Sequence, residues 1–323
     1  MRSFPIVLAG GSAEATRARE ACARAATRTE PLLIVAEDGI DPQPIARAVH
    51  SGRRAGRFVV VDCAAASPQD LETELFGARD RANGPIEVLS AGAALLRAGR
   101  GTLFLLGAGE LPASAQGRLA RLLRDGEARS AGRTSARVSA RIMVSALPTL
   151  AADVRDGRFR SDLYRRLSAL EVVVPPLRRR AEDFSALVPL VSRAIAGRLG
   201  RPAPAFTQAA LTVLSALPWR RNLEELEALL ERILRAIEAP TIRQEDVLAQ
   251  LSFDSAFAPR TPSASLREAR QRFERDYIQA VLEHHRWQMS AAARTLGIER
   301  ANLYRKARQL GISRGAPSGA AGR

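Results

Sequence analysis

LLIVAEDGIDPQPIARAVH, residues 32–50, decides the fold class. From residue 31 to 36 the apolar side chains run almost unbroken, the pattern of a short strand covered on both faces. Residues 44–50 then place Ile45, Ala46 and Val49 at helical spacing, and the intervening loop holds Gly39, Asp41 and Pro42. A strand, a tight loop and a helix make the opening half of a βαβ unit. Working outward, apolar runs at 57–62, 102–106, 141–146 and 171–174 read as further strands, and helical patterns fill the intervals, notably 13–27 and 113–126. Parallel neighbours need a crossover long enough to hold a helix, so this alternation predicts an α/β fold with a parallel sheet sandwiched by helices.

The 323 residues suffice for two or three domains, and 46% of them are hydrophobic, enough to build real cores. Net charge is +15, with a single lysine, Lys306, among 49 basic residues. Such a balance favours a polyanionic partner through phosphate contacts and counterion release. Arginine and alanine are abundant in every segment, however, so charge alone does not separate DNA binding from codon bias. Cys22 and Cys63 are too few and too far apart for a metal cluster or a disulfide scaffold, which fits a reducing cytoplasm. The apolar run at 4–9 is too short for a signal peptide, and no apolar stretch is long enough to span a membrane.

From 181 to 251 the pattern is helical throughout, with Leu223, Leu226, Leu229, Leu230, Ile233 and Leu234 in periodic array. Residues 252–265, SFDSAFAPRTPSAS, are polar, proline-interrupted and without period, and read as a linker. An amphipathic helix follows over 266–286, then two short helices, then a Gly/Ala/Ser-rich tail at 314–323 that is expected to be disordered. The expected domains are therefore 1–176, α/β; 177–251, a helical lid; 252–265, the linker; and 266–313, a helix-turn-helix.

In QMSAAARTLGIERANLYRKARQLGI, residues 288–312, Ser290 is expected to cap a thin first helix built on Ala291, Ala292 and Ala293. Gly297 permits the tight turn and Ile298 plugs the core. A second helix, about 299–310, turns Leu303 and Leu310 inward and leaves Arg300, Asn302, Arg305, Lys306 and Arg308 to solvent. Arginine forks onto guanine and asparagine onto adenine, so Arg300 and Asn302 near the helix start suit major-groove readout. Arg305, Lys306 and Arg308 suit phosphates, and Ser290 is counted with them among the expected DNA-binding residues. This segment resembles the Fis-type DNA-binding domain that ends NtrC-like sigma-54 activators. The resemblance implies a dimer, paired through the long helix and reading an inverted repeat.

Residues 6–250 resemble the AAA+ domain of the same activators, with IARAVH (45–50), ELFG (74–77), GTLFL (101–105), GELP (109–112), GRFRSDLYRRL (157–167) and PPLRRRAEDF (175–184) in family order. The chemistry between these landmarks departs from the family. Its phosphate-binding loop carries a lysine, whereas the matching AEDGIDPQP (36–44) keeps Gly39 and has Pro42 at the lysine position. Leu106 and Gly107 stand where paired acids hold magnesium and position water. Leu147 replaces the sensor asparagine, and Glu224, in WRRNLEEL, replaces the sensor arginine. The GAFTGA loop that grips sigma-54 is replaced within ARDRANGPIEV (78–88). Arg160 and Arg166 match the family's trans-acting arginine fingers, but local packing and the general arginine excess are the preferred reading of them. His284 and His285 have no ligand cluster beside them and are read as exposed or core-edge, and Trp219 and Trp287 as core anchors near helix starts.

The expectation is a cytoplasmic, sequence-specific DNA-binding regulator on an AAA+ scaffold that acts without ATP hydrolysis, with no metal and no cofactor, ATP included. Its expected partners are double-stranded DNA and a second copy or larger ring of itself, with an AAA+ paralogue or RNA polymerase beyond these, and no membrane. The alternatives are a subunit or antagonist of an active paralogue, and a working ATPase with unfamiliar residues. No receiver domain is expected ahead of residue 6, so input would come by synthesis level, an unlinked partner or a ligand in the cleft.

Overall fold

The computed structural model describes residues 6–52, 56–77, 87–90, 92–130, 135–137, 139–251, 275, 278–279, 281–282, 285, 287–310 and 312. The sequence-predicted linker, the tail, His284, the replaced loop up to residue 86 and most of the long helix at 266–286 lie outside the described residues.

Five strands form the main sheet: β1 (Leu32–Val35), β2 (Phe58–Asp62), β4 (Thr102–Leu106), β7 (Arg141–Ala146) and β8 (Leu170–Val173). They run in the order β2-β4-β7-β1-β8, every neighbour parallel. The side-chain period of two splits each strand between two layers. Leu32, Ile34, Phe104 and Met143 are buried on one face with Ile45 and Val49 of α2 (Gln43–Ser51) and with Cys22 of α1 (Ala13–Thr27). Leu33, Leu103, Leu105, Ile142 and Val144 are buried on the other, against α3 (Pro68–Phe76), α4 (Ala94–Ala98), α5 (Ala113–Asp125) and α7 (Ser161–Leu167), and Cys63 lies in this second layer. Helices on both faces are what a parallel sheet requires. Ser12 caps α1 by accepting the Ala15 N–H at 3.1 Å, and the buried Arg141 donates to the carbonyls of Ala25 and Glu30, both at 2.9 Å, fixing the return from α1 to β1.

A smaller three-stranded sheet, β3 (Glu87–Leu89), β5 (Glu127–Ser130) and β6 (Ser135–Arg137), was not legible in the sequence. EARS and SAR carry no apolar alternation, so their strand state comes from pairing partners and not from their own pattern. A short helix, α6 (Leu150–Arg155), lies between β7 and α7.

The chain divides into two compact units, 1–180 with 220–224, and 181–219 with 225–323. The first unit thus extends past the expected boundary at 176, because residues 177–180 are tied to its start. Arg178 pairs with Glu37, Arg179 with Glu14, and the buried Arg180 donates to the carbonyls of Val7 and Ala9. The second unit contains α8 (Phe184–Arg198), α9 (Gln208–Ala216), α10 (Asn222–Ala236) from Glu225 onward, and α11 (Gln244–Leu251). It is not wholly helical as expected, since β9 (Ala205–Phe206) pairs in parallel with β10 (Thr241–Ile242). Leu226, Leu229, Leu230, Ile233 and Leu234 are buried as the stripe predicts, while Leu223 packs on the first unit's core. Trp219 is buried, stacks on Phe184 at 5.9 Å and donates its indole N–H to the Leu214 carbonyl at 2.8 Å. A separate cluster of Ile278, Val281, Leu282, Ala292, Ala293, Leu303, Ala307 and Ile312 forms the C-terminal core.

Candidate functional site

Ligands of open α/β sheets bind beyond the carboxyl ends of the strands. At the end of β1 the loop at 36–42 is closed by its own chain. The Arg178 guanidinium grips the Glu37 carboxylate with two hydrogen bonds of 2.6 Å, a bidentate pair. Arg178 accordingly holds the Glu37 carboxyl below the usual carboxylate range, against a smaller upward push from burial. Asn222, fully buried, donates to the Asp38 carbonyl at 2.9 Å and to Glu37 at 3.5 Å, while its own Oδ1 accepts the Leu177 N–H at 3.0 Å. The Glu224 N–H reaches the Gly39 carbonyl at 3.0 Å. Gly39 has φ +77°, and a Cβ there would lie 1.9 Å from the Arg221 carbonyl oxygen.

A helix start attracts phosphate through amide hydrogens that have no partner within the helix. At α2, Pro42 and Pro44 carry no amide hydrogen, and the Gln43 N–H is donated to the Asp41 carboxylate at 2.9 Å. Leu106 ends β4 half-buried, and the Gly107 N–H goes to the Ser145 hydroxyl at 3.0 Å. Leu147 follows β7 and is 44% exposed. Glu224 is exposed and pairs with Arg221 at 2.5 Å. Gly39, Pro42, Leu106, Gly107, Leu147 and Glu224 thus present neither an ammonium nor a carboxylate placed for magnesium. Among the described residues no group of three or more His, Cys, Asp or Glu is arranged to hold a metal. Arg160 is exposed and forked onto Asp162 at 3.0 and 2.9 Å. Arg166 is exposed, with its guanidinium 3.5 Å from the Leu123 carbonyl.

The C-terminal segment forms α12 (Met289–Thr295) and α13 (Arg300–Gln309). Ser290 does not cap α12: the cap is Gln288, whose backbone turns into the helix first, so Ser290 sits exposed inside the first turn. Gly297 takes φ +65° in the turn, and Ile298 donates to the Ala293 carbonyl at 3.1 Å. Leu303 and Ala307 are buried, and Leu310 and Ile298 pack at the core margin. Arg300, Arg305 and Arg308 are exposed, and Asn302 and Lys306 are half-buried. Arg305 donates to Asn302 Oδ1 at 3.2 Å. His285 Nε2 lies 2.8 Å from the Thr295 hydroxyl, consistent with a core-edge position.

Arg178 and Asn222 were missed as site residues by sequence reasoning. The signal lay in PPLRRRAEDF and WRRNLEEL, but only folding brings those segments to Glu37.

The Sigma-54 interaction domain matches residues 8–173, the AAA+ ATPase lid domain residues 178–264, and the Fis-family bacterial regulatory protein domain residues 269–306. The chain belongs to the sigma-54-dependent regulator family. It is 34% identical to Regulatory protein AtoC of Escherichia coli over 90% of its own length and 64% of that protein. It is 32% identical to the nitrogen assimilation regulatory protein NtrX of Azorhizobium caulinodans, over 95% of its length and 70% of that protein. Crystal structures of NtrX from Brucella abortus, one in complex with ADP and one with ATP, align with TM-score 0.73 and 30% identity, over 94% of this chain and 69% of that one. This sigma-54-dependent regulator therefore spans about two thirds of the relatives it matches, and its fold is that of an AAA+ ATPase.

Proposed function

We propose that the chain is a sequence-specific DNA-binding transcriptional regulator that works without hydrolysing ATP. The observation that carries this reading is the closed loop at 36–42, in which Arg178 and Asn222 bind Glu37 and Asp38 from within the same chain. Polyphosphate binding calls for amide hydrogens and an ammonium; residues 36–44 offer two prolines, three carboxylates and no lysine. Leu106 and Gly107 add no magnesium ligand or base. Removing one well-placed electrostatic group costs roughly 100-fold or more in rate, so several losses together leave no useful turnover. The Brucella relative was crystallised with ADP and with ATP, and the departures at Pro42, Leu106 and Gly107 are the reason this chain is read differently. DNA binding is assigned to the 266–313 segment, as a dimer on double-stranded DNA, with Arg300 and Asn302 toward bases and Arg305, Lys306 and Arg308 toward phosphates. Calorimetric titration with magnesium and ATP tests the first half: no saturable heat is expected at millimolar nucleotide. Micromolar, magnesium-dependent binding would overturn it.

The exposure of Arg160 and Arg166 favours a second reading, a mixed ring with a catalytically competent relative. The fork of Arg160 onto its own Asp162 favours a local role instead.

A further inference from the structure

Tyr304 is 50% exposed on α13, an unusual surface position for an aromatic ring in so polar a helix. It lies one turn after Arg300, on the same side of the helix, and the Arg300 guanidinium carbon sits 5.7 Å from the ring centroid. With Arg305, Arg308 and Gln309 the ring also lines an open recess. The core does not need the ring: Leu303 and Ala307, its neighbours along the helix, fill the buried face, and Tyr304 is not part of that cluster.

We infer that Tyr304 is a positioning residue of the DNA interface, its ring face holding the Arg300 guanidinium in the orientation from which it meets a guanine edge. The inference rests on the DNA-binding reading above and adds to it a residue that contacts Arg300 and not a base. A free arginine side chain loses rotamer entropy on fixing its fork onto a base; one already laid on an aromatic ring loses less. The recess beside the ring, walled by Arg305 and Arg308, leaves room for a phosphate.

The experiment uses the full chain and two duplexes. One carries the best-bound sequence selected from a random pool, and the other is the same composition scrambled. Tyr304→Ala should reduce the preference for the selected duplex by roughly two- to fivefold, the scale of an exposed cation–π contact, while binding to the scrambled duplex changes little. Tyr304→Phe, which keeps the ring, should retain the wild-type preference. In an Arg300→Ala background, Tyr304→Ala should remove no further preference, since the group it positions is gone. Additive losses in that double variant, or loss of preference in Tyr304→Phe, would overturn the inference. Wild-type protein that binds both duplexes equally would instead remove the DNA-recognition reading beneath it. Unchanged helical circular dichroism keeps misfolding apart from these outcomes.

Discussion

Glu37 is held by Arg178 through two hydrogen bonds of 2.6 Å. As a letter in AEDGIDPQP it is one of three acids repelling phosphate; in the fold it is the residue by which Arg178, 141 positions away, and Asn222, 185 away, fasten the loop. No local reading finds partners at such separations, which is why the loop's character was legible and its fastening was not. Because the folded carboxyl titrates below its unfolded value of about 4.3, the pair stabilises the protein above that pH, and the contribution is lost as pH falls through the depressed folded value. Glu37→Gln should therefore lower stability at neutral pH by less than about 1 kcal/mol, given the partly exposed partners, and its thermal unfolding curve should merge with wild type in acid. Parallel curves at every pH would show the pair to be inert. Gly39 and Gly297 make a second comparison at this scale. Both have positive φ, but a Cβ at Gly297 meets nothing within 4 Å while one at Gly39 collides with the Arg221 backbone. Gly297→Ala should cost about 1–2 kcal/mol of backbone strain and Gly39→Ala distinctly more, compared by denaturant unfolding.

Among elements, the ones legible in advance were those whose own side chains form the core. The apolar runs at 102–106 and 141–146 coincide with β4 and β7, and 13–27 with α1, because burial on the sheet faces imposes the periodicity that sequence reading detects. The strands β5, β6, β9 and β10 are short or polar and exist through pairing, so nothing in EARS or SAR announced them. Ser290 failed as a cap for a related reason: capping depends on the backbone angle at Gln288, two residues before the position to which residue preference pointed. On α13 the two ends of the helix should fail differently when altered. Arg300→Ala should cost about 1–3 kcal/mol on the selected duplex and relax base preference at one position of each half-site, with scrambled binding nearly intact. Lys306→Ala should weaken all duplexes alike and flatten log affinity against log salt by about one unit. Titrations at several salt concentrations read both; equal losses on both duplexes for Arg300→Ala would sink the assignment of bases to the helix start.

At the scale of the whole molecule, the proposed absence of turnover would leave assembly as the use of the AAA+ scaffold. If Arg160 and Arg166 act across a ring, adding the chain to an active sigma-54-dependent relative should alter that relative's ATPase rate, and Arg166→Ala should abolish the change. Identical rates with and without the chain would leave both arginines as local packing residues. The two cysteines offer a view of how such a scaffold breathes. Cys22 lies in the layer on one face of the main sheet and Cys63 in the layer on the other, and burial pushes both thiols up to about 12. At neutral pH neither can be alkylated until its own layer parts, so each thiol is a clock set into one side of the sandwich. Pulsed alkylation resolved by mass should show the two clocks running at one shared rate if the sandwich opens as a unit. Two distinct rates would reveal that one wall of the molecule lifts while the other stays closed.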